Sequence, residues 1–271
     1  MRPLKHALAV LLLTLLTQVG GILYLLHIPI ARKLRSLFPG WRGSLIGATS
    51  FIILLVAAAI WVIPTVARPI GRVPLPLRAT TEVPLAPGGW LTVLANRHYV
   101  KPEMLDVLQG VAKRMAARFP GTELRYLDAN FPFLEGYPLL PHRSHDDGNK
   151  VDISFLYLDE QGKRVNASPG LLGYGYVEAP GPGEQDQPAV CADRGYWQYS
   201  LLSTLNTDDT DLTFDEVGTA WLVRTITADP RIGKVFVEPH LKTRLGQGGN
   251  DKVRFHGCVA VRHDDHIHLQ L

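Results

Sequence analysis

Two uncharged apolar runs dominate the first quarter of the chain, and shorter apolar segments at helical or alternating spacing divide the rest. The runs are ALAVLLLTLLTQVGGILYLL over 7–26 and SLIGATSFIILLVAAAIWVI over 44–63. Each is long enough to cross about 30 Å of hydrocarbon as a helix, so the pattern predicts two transmembrane helices. A cleaved signal peptide is the alternative for the first run, but the run is long for such a segment and no A-x-A cleavage site follows it. Next come Pro64, Pro69, Pro74, Pro76, Pro84 and Pro87, then Gly88 and Gly89. That density of proline forbids continuous helix and predicts an extended, semi-rigid stalk. The expected organisation is an anchor over 1–66, a linker over 67–89 and a folded domain over 90–271.

Within the domain, Pro102 suits the first turn of a helix, and Leu105, Leu108, Val111, Ala112 and Met115 repeat at the spacing of one helix face, which predicts a helix over 102–118. Strands are expected over 123–127 and over VDISFLYL at 151–158, the latter turning through DEQG into KRV as a hairpin. The glycine- and proline-rich stretch 169–188 lacks the ordering of a phosphate-binding loop and reads as a surface loop able to wall a cleft. Thr213-Phe-Asp-Glu216 has the form of a capping box, which predicts a helix from there to about Ala228. KVFVEP at 234–239 and the C-terminal FHGCVAVRHDDHIHLQL supply the last strands. The acidic run NTDDTD at 206–211 lacks the glycine and closing glutamate of a calcium loop and reads as a solvated turn.

Charge sharpens this division. Nine of the 28 Lys and Arg residues lie in the first 81 positions, and all 25 Asp and Glu residues lie beyond them. Interleaved with apolar runs, this basic end belongs to a membrane surface and excludes a nucleic-acid arm. Arg32, Lys33, Arg35 and Arg42 make the short loop between the runs its most basic part, and the positive-inside rule then places that loop in the cytoplasm and both termini outside. Two cysteines, Cys191 and Cys258, both follow the anchor. In an exported domain an even pair reads as a disulfide, and two buried free thiols are the alternative.

The candidate chemistry lies in two windows. PHRSHDDGNKVD supplies His142, His145 and Asp152, and RHDDHIHLQL supplies His263, His266 and His268. Isolated histidines are ordinarily surface or satisfied core residues, which suffices for His6, His27, His98 and His240. Five histidines in two windows, each with nearby aspartates, instead match the neutral-imidazole and carboxylate chemistry of a zinc site with an open position. On a strand, His266 and His268 point to one side, so one element can offer both a ligand and an acid–base group. His256 stands near enough to line the same cleft.

The pattern S-H-x-x-G-x-x-x-D at Ser144–Asp152, followed by H-x-x-H-x-H at His263–His268, resembles the penicillin-insensitive murein endopeptidase family. That family belongs to a wider group of zinc peptidases with lysostaphin-type enzymes, D-Ala-D-Ala carboxypeptidases and hedgehog domains. The resemblance covers about Trp90 to Leu271 and none of the membrane end. It implies an α+β fold with a small central antiparallel sheet flanked by helices and loops, here preceded by two transmembrane helices. It also implies zinc held by His145, Asp152 and His268, with His266 as catalytic histidine and His142 and His263 as further functional histidines. No HExxH glutamate is present, so a histidine must handle the proton, with Asp264 or Asp265 available to orient a ring. The expected activity is hydrolysis of peptide cross-links or stem peptides of peptidoglycan by a domain on the outer face of the cytoplasmic membrane, facing the periplasm or cell exterior. Two alternatives use the same residues: a dipeptidase or carboxypeptidase acting on D-Ala-containing peptides, and a membrane-tethered wall-binding module with structural zinc.

Overall fold

The computed structural model describes residues 2–170, 173–197 and 211–271. Most of the acidic run at 206–211 and part of the glycine-rich loop lie outside these residues.

The first apolar run does not form one helix. It divides into α1 (Arg2–Thr17) and α2 (Gly20–Leu37), because Gln18 adopts φ 64°, a left-handed conformation that an α-helix of L-residues cannot continue through. The two helices fold back on each other, with the His6 ring 5.8 Å from that of Tyr24. Near the turn Gly21 permits the close approach, since a Cβ there would lie 2.0 Å from Thr14 Oγ1. The second run forms α3 (Trp41–Ala57), a π-helical turn over Ala58–Val62 and α4 (Ile63–Ala67), followed by a 3-10 turn to Ile70.

One expectation fails here. Among the described residues one helix, Trp41–Ile70, is long and apolar enough to cross a membrane, and Pro3–Thr17 is a shorter apolar helix. The expected pair of transmembrane helices is therefore replaced by one long helix with an antiparallel hairpin beside it. The hairpin also brings the start of α1 to the end where the basic loop lies, so the chain's beginning and its folded domain are at opposite ends of the helices.

The proline-rich segment joins the domain. β1 (Val73–Pro74) and β2 (Leu85–Pro87) flank the buried side chain of Leu75, and Leu85 is itself buried. α5 (Trp90–Leu94), β3 (Tyr99–Val100) and α6 (Pro102–Arg118) follow, then β4 (Leu124–Tyr126) and β5 (Lys150–Ser154). β1 pairs with β3, and β2 runs parallel to β4 at the edge of the main sheet, where a proline is tolerated. No free stalk separates helices from domain.

The expected strand over 151–158 splits after β5, and its second part, β6 (Tyr157–Leu158), enters a separate three-stranded sheet between β7 (Arg164–Val165) and β8 (Thr213–Phe214). The hairpin from β6 to β7 has the anticipated turn. α7 (Gln187–Asp193) carries Cys191. α8 (Glu216–Thr227) is capped by Asp215, which accepts from the Gly218 N–H at 2.9 Å; Thr213 belongs to β8. The chain continues through β9 (Lys234–Phe236), α9 (Pro239–Arg244), β10 (Val253–Arg254) and β11 (His266–Gln270).

The main sheet has six strands in the order β10-β9-β11-β5-β4-β2. Its centre is antiparallel, but the pairs at both edges, β10 with β9 and β2 with β4, are parallel. The fold is thus α+β with a mixed sheet, which corrects the small antiparallel sheet implied by the resemblance. Alternation along β5 and β11 sends Val151, Ile153, Ile267 and Leu269 to one face, where they join Met104, Leu108, Val111 and Met115 of α6 and Leu222, Val223 and Ile226 of α8 in one core. Asp152, Ser154, His266 and His268 occupy the opposite face.

The helices dock on the domain at the α1–α2 turn. The Phe133 N–H donates to Gln18 Oε1 at 2.9 Å, the Tyr137 hydroxyl to the Thr14 carbonyl at 2.8 Å and Asn96 Nδ2 to the Thr17 carbonyl at 3.4 Å. Ala58, Ile63 and Ala67 pack with Tyr99 in a small core that Val19, Leu23 and Phe133 adjoin.

Candidate metal centre

Strand register assembles the centre. On β11, His268 stands directly opposite Asp152 of β5, and His266 stands opposite Ser154. The loop entering β5 brings His145 over the pair. Its ring Nδ1–H donates to the Ala129 carbonyl at 2.6 Å, which leaves Nε2 with its lone pair turned inward.

Three potential ligand atoms converge there: His145 Nε2 lies 2.9 Å from His268 Nδ1 and 3.2 Å from Asp152 Oδ1, and His268 Nδ1 lies 2.9 Å from Asp152 Oδ1. These separations fall just below the roughly 3.3 Å edge of a coordination tetrahedron with bonds near 2.05 Å. All three side chains are buried. A second group, His142, Asp152 and His266, shares the same aspartate, so the two overlap in one centre able to hold a metal ion. The second group is more spread, with His142 Nδ1 2.6 Å from Asp152 Oδ2 and His266 Nε2 3.7 Å from Oδ1. Among the described residues His266 Nε2 and His268 Nε2 are buried without hydrogen-bond partners, a state that costs free energy unless something in the site engages them.

Protonation follows from these neighbours. Burial works against an ionised Asp152, but His145, His142 and His266 prevail and hold its carboxyl well below the usual range. Burial lowers His268 to about 3 despite the opposing pull of Asp152. Burial, reinforced by His266 and His268, also keeps His263 well below its ordinary value. Ionised carboxylate and neutral imidazole are the forms that bind metals. His266 differs: burial opposes its charge, yet Asp152, Asp265 and the bond to Asp265 raise it to about 9. A cation on Asp152 would remove the first of these favourable contributions.

The supporting residues are only partly those the sequence singled out. Asp265 Oδ1 accepts from His266 Nδ1 at 2.5 Å, and its Oδ2 accepts from the Gly175 N–H at 2.7 Å. Asp264 instead pairs with Arg262, although both aspartates are buried. His142 grips the Asp152 carboxylate, so it shapes a ligand as well as lining the site. Tyr174 and Asp128 were not anticipated: the Tyr174 hydroxyl donates to Asp152 Oδ2 at 2.7 Å and accepts from the Asp128 N–H at 3.0 Å. Burial, with Asp128 and Asp152 adding to it, keeps that phenol well above its usual range and therefore a donor. The only hint in the sequence was its place in a glycine-rich loop expected to wall a cleft.

The centre opens into a cavity of about 680 Å³ walled by 140–145 on one side and by His256 and 259–261 on the other. His263 and His268 reach its floor. Cys191 and Cys258 form a disulfide, which ties α7 to the segment leading into that second wall. No protein-family model matches the chain, and a search of curated proteins finds no significant relative.

Proposed function

We propose that the protein is a membrane-anchored zinc peptidase that hydrolyses peptide cross-links or stem peptides of peptidoglycan. The observation that carries this reading is the surplus of histidines: three side chains suffice to hold an ion, His142 and His263 remain beside them on a cavity large enough for a peptide, and the buried His266 ring packs against both. A closed structural site would use four protein ligands and leave no buried imidazole nitrogen free. The two motifs at 144–152 and 263–268 support peptidoglycan as the substrate, and the apolar helix Trp41–Ile70 supports the anchor.

His145, Asp152 and His268 would hold the zinc, since imidazole nitrogen and carboxylate oxygen suit a borderline-soft divalent cation. When bound, zinc supplies Lewis-acid polarisation of the scissile carbonyl and lowers the pKa of water toward about 7. His266 takes the proton of the attacking water at Nε2, the nitrogen left without a partner, while Asp265 holds the opposite ring N–H and favours the resulting imidazolium. His263, whose ring centroid is 5.0 Å from that of His266, stays neutral and offers an N–H to the carbonyl oxygen as its charge develops. Water's oxygen bonds to the carbonyl carbon, the C–N bond breaks, and His266 returns its proton to the leaving amine.

Full-length protein in detergent, assayed for metal and then incubated with purified peptidoglycan, tests the proposal. The expected result is one zinc per chain and conversion of cross-linked muropeptide dimers to monomers. Loss of a terminal D-Ala without that conversion would assign the activity to a carboxypeptidase. Stoichiometric zinc with no new muropeptide would refute the substrate, and absence of metal would refute the centre.

A further inference from the structure

The long helix marks where a bilayer would lie. Trp41 and Trp61 are both prominently exposed, at 71% and 67%. Twenty residues of helix separate them, a rise of about 30 Å that equals the hydrocarbon thickness, and tryptophan favours the two interfaces of a membrane. The domain-side boundary therefore passes at Trp61, within the segment Ala58–Ile63. That segment shares the small core with Val19 and Leu23, which places the α1–α2 turn at the same depth.

The loop bonded to that turn is the one that leads into the metal centre. Phe133 and Tyr137 make the contacts to Gln18 and Thr14, and His142 follows Tyr137 by five residues, a reach of at most about 18 Å. The same loop exposes Leu134 and Leu140, and Leu140 also walls the cavity. Val259 on the opposite wall is exposed as well. Apolar side chains at the level of lipid headgroups gain by entering the interface, so this rim fits against a lipid surface better than against open water.

We infer that the cleft works at the bilayer surface on a peptide still carried by a membrane lipid, in preference to peptide in solution or in wall material away from the membrane. This rests on the peptidase reading and narrows its substrate to lipid-linked stem peptides or nascent strands. Confinement to the membrane raises the effective concentration of such a substrate, and tethering of this kind yields gains on the order of 10²-fold.

The test uses the full chain reconstituted in phosphatidylethanolamine/phosphatidylglycerol vesicles. One cross-linked stem-peptide dimer is supplied in two forms, free in solution and coupled to a phospholipid in the same vesicles. The expected kcat/KM is about 10²-fold higher for the coupled form. Leu134→Asp, outside the cavity, is expected to shrink that ratio while hydrolysis of the free dimer persists. Equal rates for the two forms, or a ratio untouched by Leu134→Asp, would overturn the inference and leave the peptidase reading standing. Hydrolysis of neither form would overturn both.

Discussion

Replacing Asp265 by Asn separates the proton transfer proposed for His266 from the proposed metal ligands. In the folded protein the two carboxylate oxygens have separate tasks, one accepting from His266 Nδ1 at 2.5 Å and the other from the Gly175 N–H at 2.7 Å. An amide cannot serve both. If its oxygen keeps His266, its NH₂ faces the Gly175 donor; if its oxygen keeps Gly175, its NH₂ donates to Nδ1 and forces the proton onto Nε2, where water must deliver one. The first orientation exchanges a charge-assisted bond for a neutral one and creates a donor–donor conflict, at a cost of about 1–3 kcal/mol. The second removes general-base catalysis, worth about 10²–10⁴ in rate, or about 2.7–5.5 kcal/mol in the barrier. We therefore expect Asp265→Asn to lower kcat by about 10²–10⁴ with KM and zinc content unchanged. Steady-state kinetics on a cross-linked stem-peptide dimer, with elemental analysis of the same preparation, provides the readout. A loss below about threefold at full zinc occupancy would refute the assignment of His266 as the proton acceptor.

Three further expectations concern the metal ligands, the hydroxyl that supports them and a buried histidine of the domain. Asp152→Asn and His145→Ala should bind zinc substoichiometrically while His263→Ala retains it, by elemental analysis after gel filtration; full occupancy in Asp152→Asn would exclude the proposed ligand set. Tyr174→Phe removes a donor from Asp152 Oδ2 and leaves the Asp128 N–H without its acceptor, so zinc affinity should weaken by about 10–100-fold and stability by about 1–3 kcal/mol, measured by competition with a chelator and by denaturation; wild-type affinity would count against the supporting role. Burial lowers His98 from 6.5 to about 3, against the opposing Thr92 carbonyl, so between these values the unfolded chain binds the additional proton and stability falls as pH falls. At pH 5 this amounts to about 2 kcal/mol, and His98→Phe should show a shallower acid dependence than wild type; parallel stability–pH curves would sink the explanation.

The five residues of the two overlapping groups, with His263 beside them, were legible because the chemistry restricts a metal centre to imidazole and carboxylate and because the chain delivers them in two short windows. Their local geometry was legible too, since alternation along a strand places His266 and His268 on one face. Tyr174 was not, because a tyrosine in a glycine-rich loop carries no ligand signature and meets Asp152 only through tertiary folding. The helix at 102–118 announced itself through a long apolar stripe. The edges of the main sheet did not: β2 and β10 have three and two residues, too few for alternation to show, and each pairs in parallel with its neighbour across an intervening helix. The break in the first apolar run escaped notice for a related reason. Averaged across 7–26 the hydropathy suits one span and hides the short interruption Thr17-Gln18-Val19-Gly20-Gly21, and the turn there depends on one left-handed residue, Gln18, whose side chain is engaged by the domain.

The pairing of His268 with Asp152 across β11 and β5 makes ion binding and strand pairing parts of one equilibrium. An ion held by both residues would act as a clamp between the two central strands, and any fluctuation that separates them must release it. A one-residue slip of β11 would carry His268 to the apolar face and turn Ile267 toward the centre while Asp152 stayed in place, so affinity for the ion also selects the register. Weakened packing beneath Ile153 and Ile267 would then surface as weaker metal binding, although neither side chain reaches the site. Conversely, occupancy would slow amide exchange at the heart of the sheet, far from any solvent-exposed loop.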